Sequence, residues 1–582
     1  MNRDDSTATN DGSSRRLDEA VAIPATEHAI QIVAAGKLQH TGAKPVPAVG
    51  PHGILARVEA VGICFSDTKL MHAFTAHPRK GGVLAGIELG ILSEIPSYVP
   101  GEAPTVPGHE VVCRIVAVGS EVRHHRVGER CLVQTDYRHL PTASSNAAFG
   151  YNFEGGLQEY VLMDERVIIE PATGERFLIP VSDDLGASAV ALVEPWACVE
   201  SSYAFGERRG PLPGGRLLAV VEEDHDPAGL ASLLAASRPA EVTAWAASEA
   251  GRASLAVAAG ASARLVASIE DLPRESFDDL VYFGAGAPQL DRLQDFVAPG
   301  GLVNVVTGGS RLDGPVAVDV GRVHYDLVRW VGTHGSSPAD AYTSVPADGE
   351  LRAGDRVAVI GAAGPMGLMH VVRAITLGLP DISILGVDID EARLAHLAAT
   401  AGPLAREHGI GLEVANSRDT PLEPGFSYVA VLVPAPVLVA EAVRLAGEGC
   451  RINVFAGFAL HTRSEIDLDR YIDQRCYLLG TSGSRIPDMR AVLERLERGA
   501  LDTNISLDGI TGMAGVGDAL EAVETRTFSG KIVVYPALHD LGLMRLSDLP
   551  ERYPGVARNL RGGLWTKAAE DELLAEVAGE KG

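Results

Sequence analysis

Apolar and polar positions follow two different rhythms along this chain. From about residue 26 to 205 they alternate in short runs broken by Gly and Pro: HGILARVEAVGICFSD, HEVVCRIVAVGSEV, GERCLVQTDY and GGLQEYVLM. That pattern predicts a β-rich domain of many small strands. From residue 214 onward, strand-length apolar runs alternate with segments of helical period, which predicts parallel sheets covered on both faces. Within residues 354–390, GDRVAVIGAAGPMGLMHVVRAITLGLPDISILGVDID, the pattern predicts a strand over 357–360, a turn at Gly361, Gly364 and Gly367, a helix over 368–377 and a second strand over 382–387.

The second rhythm repeats. GGLVNVVTGG from Gly300 resembles GCRINVFAGF from Gly449, and GTHGSSPAD from Gly332 resembles GTSGSRIPD from Gly480, so the offset is 149 and then 148 residues. VYFGAGAP from Val281 and VAVLVPAP from Val429 are also 148 apart. A fixed period recasts the architecture: two tandem Rossmann-like, doubly wound α/β domains are expected over 211–345 and 350–500. The first copy is degenerate. RLLAVVEEDHDPAG from Arg216 has no glycine triplet after its strand, and EVTAWAAS from Glu241 ends without a carboxylate. It is read as a sheet retained without its nucleotide, serving as a spacer or dimerisation support rather than as a regulatory site. The other expected parts are a disordered tail over 1–25, a catalytic domain over 26–210 completed by 505–536, and a C-terminal extension over 537–582. That extension carries a predicted helix in TKAAEDELLAEVAG, docked on the body or on another subunit. A Gly- and Pro-bearing segment over 68–107 is expected to form a lid or substrate-side loop.

Composition narrows the function. With 582 residues the chain exceeds one core, and a formal net charge of −26 argues against nucleic-acid or anionic-membrane partners. No apolar run is long enough to span a bilayer. The first twenty residues lack the apolar region of a signal peptide. Six cysteines without a CxxC pair fit reduced thiols and a cytoplasmic location.

Two constellations carry chemistry. The glycine turn, with Pro365 and Met366 opening the helix between Gly364 and Gly367, suits a pyrophosphate approaching main chain at a helix N-terminus. Asp388, ending the next strand, stands where a carboxylate accepts hydrogen bonds from an adenosine ribose and repels a 2′-phosphate, which favours NAD over NADP. The second constellation is Cys64 in GICFSD, His109 and Glu110 in PGHE, and Glu194 in VEPWAC. Thiolate, imidazole and carboxylate are zinc donors, and a catalytic zinc takes about three protein ligands.

These motifs, in this order, resemble the medium-chain, zinc-dependent alcohol and polyol dehydrogenase superfamily over about 26–205 and 350–536. The resemblance implies a GroES-like β-rich catalytic domain, a nucleotide domain and an active site between them. It implies Cys64 and His109 as zinc ligands, with Glu194 in the third-ligand region of sorbitol dehydrogenase-like members and Glu110 able to approach or exchange onto the metal. Ser66 matches the hydroxyl that relays the substrate proton, and Asp67 the carboxylate that orients the ligand histidine. Three departures qualify it. The four-cysteine lobe of a structural zinc is absent, Cys131 standing alone, so no second zinc is expected. Lys69 stands where some members end their relay with histidine. The extra α/β copy is not part of the ordinary layout. VEPWACVESSY and GTSGSRIPD also resemble segments of sorbose-phosphate reductase-like members, and Arg485 is a candidate for an anionic group. The expectation is a zinc- and NAD-dependent, homo-oligomeric (dimer or tetramer) dehydrogenase of a polyol, sugar or sugar phosphate. The rival readings are a zinc-free quinone or enone reductase and an NAD-binding scaffold or sensor without turnover.

Overall fold

The computed structural model describes residues 23–204, 206–227, 229–261 and 263–579. The segment expected to be disordered lies, up to residue 22, outside the described residues.

The β-rich part is organised on Gly53–Ile63, which is apolar and buried along nearly all its length. It pairs antiparallel with Glu110–Val118, Tyr160–Asp164 and Lys531–Val534. Two of those registers matter for chemistry: Gly62 lies opposite Glu110, and Ile63 opposite Ile532. Residues from three remote parts of the sequence therefore meet at one end of this strand.

The repeat is realised as two six-stranded parallel sheets. In the first the spatial order is Arg264–Leu265, Glu241–Ala246, Arg216–Val221, Phe277–Phe283, Val297–Val306, Arg329–Thr333. In the second it is Gly411–Asn416, Ser383–Asp388, Arg356–Ile360, Phe426–Val431, Ala446–Val454, Tyr477–Leu479. Each sheet runs third, second, first, fourth, fifth, sixth, the doubly wound order that opens a crevice at the carboxyl ends of its strands. The expected fold class, α/β with a β-rich part and two Rossmann-like sheets, is what the chain adopts. The two α/β units share one apolar cluster, to which Val220, Val303 and Trp330 come from the first and Ile360, Val431 and Leu478 from the second.

The C-terminal helix Lys567–Gly579 packs on this body. Trp565, just before it, is fully buried and donates its indole N–H to Tyr535 Oη at 3.0 Å. The Glu570 carboxylate accepts the amides of Ala187 and Ser188, at the buried start of the helix Ala187–Ala191, and the Tyr535 hydroxyl. A carboxylate on the first free N–H groups of a helix satisfies donors that have no partner inside it.

Candidate functional site

Cys64 caps the helix Phe65–Ala73, and its amide donates to Asp67 Oδ2 at 2.9 Å. The helix start thereby holds the thiol at the end of the central strand. Asp67 turns its other oxygen to the Gly108 amide (3.2 Å) and to His109 Nδ1 (3.1 Å). With Nδ1 engaged, the ring presents Nε2 as its free donor atom, the arrangement that orients a metal-binding histidine. Burial works against ionising Asp67, but His109 and the two amides outweigh it and hold the carboxyl below its usual range. Glu110 is fully buried; its Oε1 pairs with Lys531 Nζ at 2.5 Å, and Lys531 also donates to the Ile63 carbonyl at 2.7 Å. Glu110 Oε2 has no hydrogen-bond partner and lies 2.0 Å from where a Cβ on Gly62 would stand, so only glycine fits opposite it.

The donor atoms of Cys64, His109 and Glu110 all lie within 4.8 Å of one another, and among the described residues no other group of three or more His, Cys, Asp or Glu closes in this way. Burial opposes charging His109, yet Tyr151, Asp67 and Cys64 draw its pKa well above the ordinary value, so positive charge is favoured at this spot. An orphaned buried carboxylate oxygen, a thiol and an oriented imidazole in a pocket that attracts positive charge fit a divalent cation.

Glu194, in the first turn of the helix Val193–Ser201, stands beside this trio rather than in it. Burial pushes its carboxyl up to about 7, with the charges of Glu110 and Asp136 reinforcing the shift and His109 and Lys531 opposing it. Its Oε1 accepts Cys198 Sγ at 3.5 Å. Ser66 Oγ is 3.5 Å from Cys64 Sγ and half-buried. Lys69 is exposed, its ammonium 5.6 Å above the Phe65 ring. Arg485 is exposed too, and its amide caps the helix Ile486–Glu497 through Asp488. Cys131 is buried in the sheet opposite Cys113.

Lys531 is not among the residues that the sequence motifs single out; the available signal is a lysine heading the apolar strand Lys531–Val534 in GKIVVYP, which starts at Gly530. The segment 68–107 contributes Arg79, which pairs with Asp136 at 2.6 Å and lies over the Tyr151 ring; that ring is 5.6 Å from His109.

The glycine turn belongs to the second six-stranded sheet, between Arg356–Ile360 and the helix Pro365–Thr376. Gly361 has φ +88°, and a Cβ there would lie 2.6 Å from Val433 Cγ2; one at Gly367 would lie 2.2 Å from the Gly361 carbonyl. Both positions require glycine for the strand and helix to approach. Gly364 caps the helix Pro365–Thr376, with Pro365 and Met366 in its first turn. Asp388 closes its strand with Oδ2 3.2 Å from the Ala363 amide. A cavity of about 410 Å³ adjoins, lined by Ile360, Val387, Ser417, Thr420, Leu438 and Arg444 among others. Two links tie the β-rich part to this sheet's unit. The Glu194 helix packs on the helix Pro365–Thr376 through Glu200 and Arg373 (2.8 Å), and Arg138 reaches the Ser482 carbonyl in the loop beyond Tyr477–Leu479 (2.9 Å).

Residues 50–172 match the alcohol dehydrogenase GroES-like domain. The uncharacterized protein YggP of Escherichia coli is 27% identical over 249 residues, 39% of this chain and 57% of that protein. Sorbitol dehydrogenase of Bacillus subtilis is 28% identical over 205 residues, 33% of this chain and 47% of that protein. The chain thus spans about half the length of these curated relatives. Among solved structures, 2R,3R-butanediol dehydrogenase from Bacillus subtilis is 14% identical with a TM-score of 0.49, over 88% of this chain and 100% of that one. Residues 50–172 thus carry a GroES-like domain of the alcohol dehydrogenase kind, and the chain is similar to alcohol and polyol dehydrogenases over about a third of its length.

Proposed function

We propose that the chain is a dehydrogenase that uses one catalytic zinc and NAD to interconvert a secondary alcohol and a ketone of a polyol, sugar or sugar phosphate. The observation that supports this most directly is the closure of Cys64, His109 and Glu110 around one point, with Glu110 Oε2 left unpartnered. Those three side chains would hold the metal, with Glu194 beside them as a further carboxylate. When bound, zinc supplies a Lewis acid for the substrate oxygen, and NAD accepts the hydride. The chain's own residues do the rest. Asp67 fixes the His109 ring, Lys531 balances the charge on Glu110, and Ser66, half-buried next to Cys64, takes the alcohol proton toward solvent. The glycine turn seats the pyrophosphate, the cavity beyond Val387 takes the adenine end, and Asp388 faces the ribose. D-altritol 5-dehydrogenase and sorbitol dehydrogenase among the relatives support a polyol substrate. A zinc-free reductase would leave the trio without a purpose.

Metal analysis followed by NAD reduction with a panel of polyols and sugars tests the reading; a protein that holds no zinc and turns over none of them defeats it. Asp388→Ala is expected to narrow the preference for NAD over NADP, read as the ratio of kcat/KM for the two cofactors. An unchanged ratio counts against the role given to Asp388. Asp67→Asn keeps the shape but weakens the grip on His109, and a loss of about 10- to 100-fold in zinc affinity or turnover is expected. Competition with a chelator measures it.

A further inference from the structure

The two α/β units meet in a way that the 148-residue repeat explains. Val316–Asp319 pairs antiparallel with Arg463–Ile466, and Val316 faces Ile466, Ala317 faces Glu465, Val318 faces Ser464. Shifting each residue by the repeat turns the first pair into the third and leaves the middle pair as it is. The same exchange relates other contacts. Gly332 lies against Ile472 as Gly480 lies against His324, and Leu312 meets Asp469 as Leu460 meets Gly321. Such reciprocity defines an isologous interface about a two-fold axis, here enclosed in one chain.

The axis carries the short helix Val320–Tyr325, capped by Asp319, to the carboxyl end of the strand Ala446–Val454 in the second unit. Its image, Leu468–Asp473 capped by Asp467, is carried to the same edge of the first. There the symmetry fails. Asp473 binds Arg311 at 2.7 Å and His334 at 3.3 Å, and the Glu222 carboxylate lies 3.1 Å from both the Ala285 and Gly286 amides, so charged side chains of the protein occupy that edge. At the second edge the image of Asp473 is Tyr325, which stays 42% exposed. His324 anchors it by bonding the Val454 carbonyl at 3.0 Å and meeting its ring edge-on at 4.6 Å. The Tyr325 hydroxyl stands 2.8 Å from where a Cβ on Gly457 would be, over the crevice that the doubly wound sheet opens. On its catalytic side Tyr325 is within electrostatic reach of Arg79, which in turn reaches Tyr151 and Glu194.

Resting on the function proposed above, we propose that Tyr325 is a specificity-determining residue. The first α/β unit delivers it across the internal two-fold axis to form the outer wall of the substrate cleft, where its hydroxyl recognises a hydroxyl remote from the reacting carbon of a polyhydroxylated substrate. The test compares kcat/KM for a turned-over polyol with that for a plain secondary alcohol of the same carbon number in wild type, Tyr325→Phe, Tyr325→Ala and Asp473→Ala. Bound zinc and the Kd of NADH are measured alongside. Losing one hydrogen bond predicts that the polyol-to-alcohol ratio falls about tenfold in Tyr325→Phe, mainly through KM, and at least as far in Tyr325→Ala. Zinc content and NADH affinity should hold, and Asp473→Ala should keep the wild-type ratio. A ratio that moves by less than twofold in both Tyr325 variants, or equally in Asp473→Ala, overturns the assignment to Tyr325 alone. A wild type with neither zinc nor turnover overturns the functional reading and this one with it.

Discussion

Cys64→Ser is expected to cost the protein its zinc and essentially all turnover while leaving the fold intact. The replacement removes the one thiolate among the three donors that close within 4.8 Å. A serine hydroxyl is neither ionised at neutral pH nor soft enough to replace it. The fold survives because the Cys64 backbone amide still donates to Asp67 at the helix start, and a serine hydroxyl can replace the sulfur as the cap of that helix. Zinc stoichiometry, NAD-linked rate and far-UV circular dichroism on one preparation separate these outcomes. Retained metal with wild-type turnover would mean that the trio is structural.

The second large effect falls far from the chemistry. Trp565→Ala is expected to destabilise the β-rich part by about 3–5 kcal/mol, the usual cost of emptying a fully buried aromatic site. Trp565 is 0% exposed, and its removal also takes away the indole N–H that the Tyr535 hydroxyl accepts. Glu570, which binds Tyr535 and the start of the helix Ala187–Ala191, would lose its seat with it. A lower midpoint in urea, together with faster proteolytic release of the C-terminal segment, would register the loss. An unchanged midpoint would show that the extension is only laid on the surface.

Much of this organisation is legible in the sequence because it is local. The strand and helix around Gly361 are set by period and by glycine, and the repeat is visible as a shared offset, so both six-stranded sheets could be anticipated. The site was legible as far as its donors lie in recognisable motifs. What sequence could not rank was Glu110 against Glu194 as the carboxylate nearest the thiol. That ranking follows from the register that sets Glu110 opposite Gly62, a matter of strand pairing rather than of residue type. Lys531 escaped for a related reason. It lies 421 positions from Glu110 and reaches it only because a late strand joins an early sheet. The docking of the C-terminal helix was likewise open, since an apolar stripe states that something is covered but not what covers it.

The enclosed two-fold axis also changes what a single substitution does. In an assembly of identical subunits every altered codon is expressed on both sides of the axis, so a residue good for one edge is imposed on the other. Here each half has its own codons. One crevice could therefore acquire Glu222, Arg311 and Asp473 while its twin kept bare glycine and a tyrosine, a division of labour that no pair of identical copies can reach.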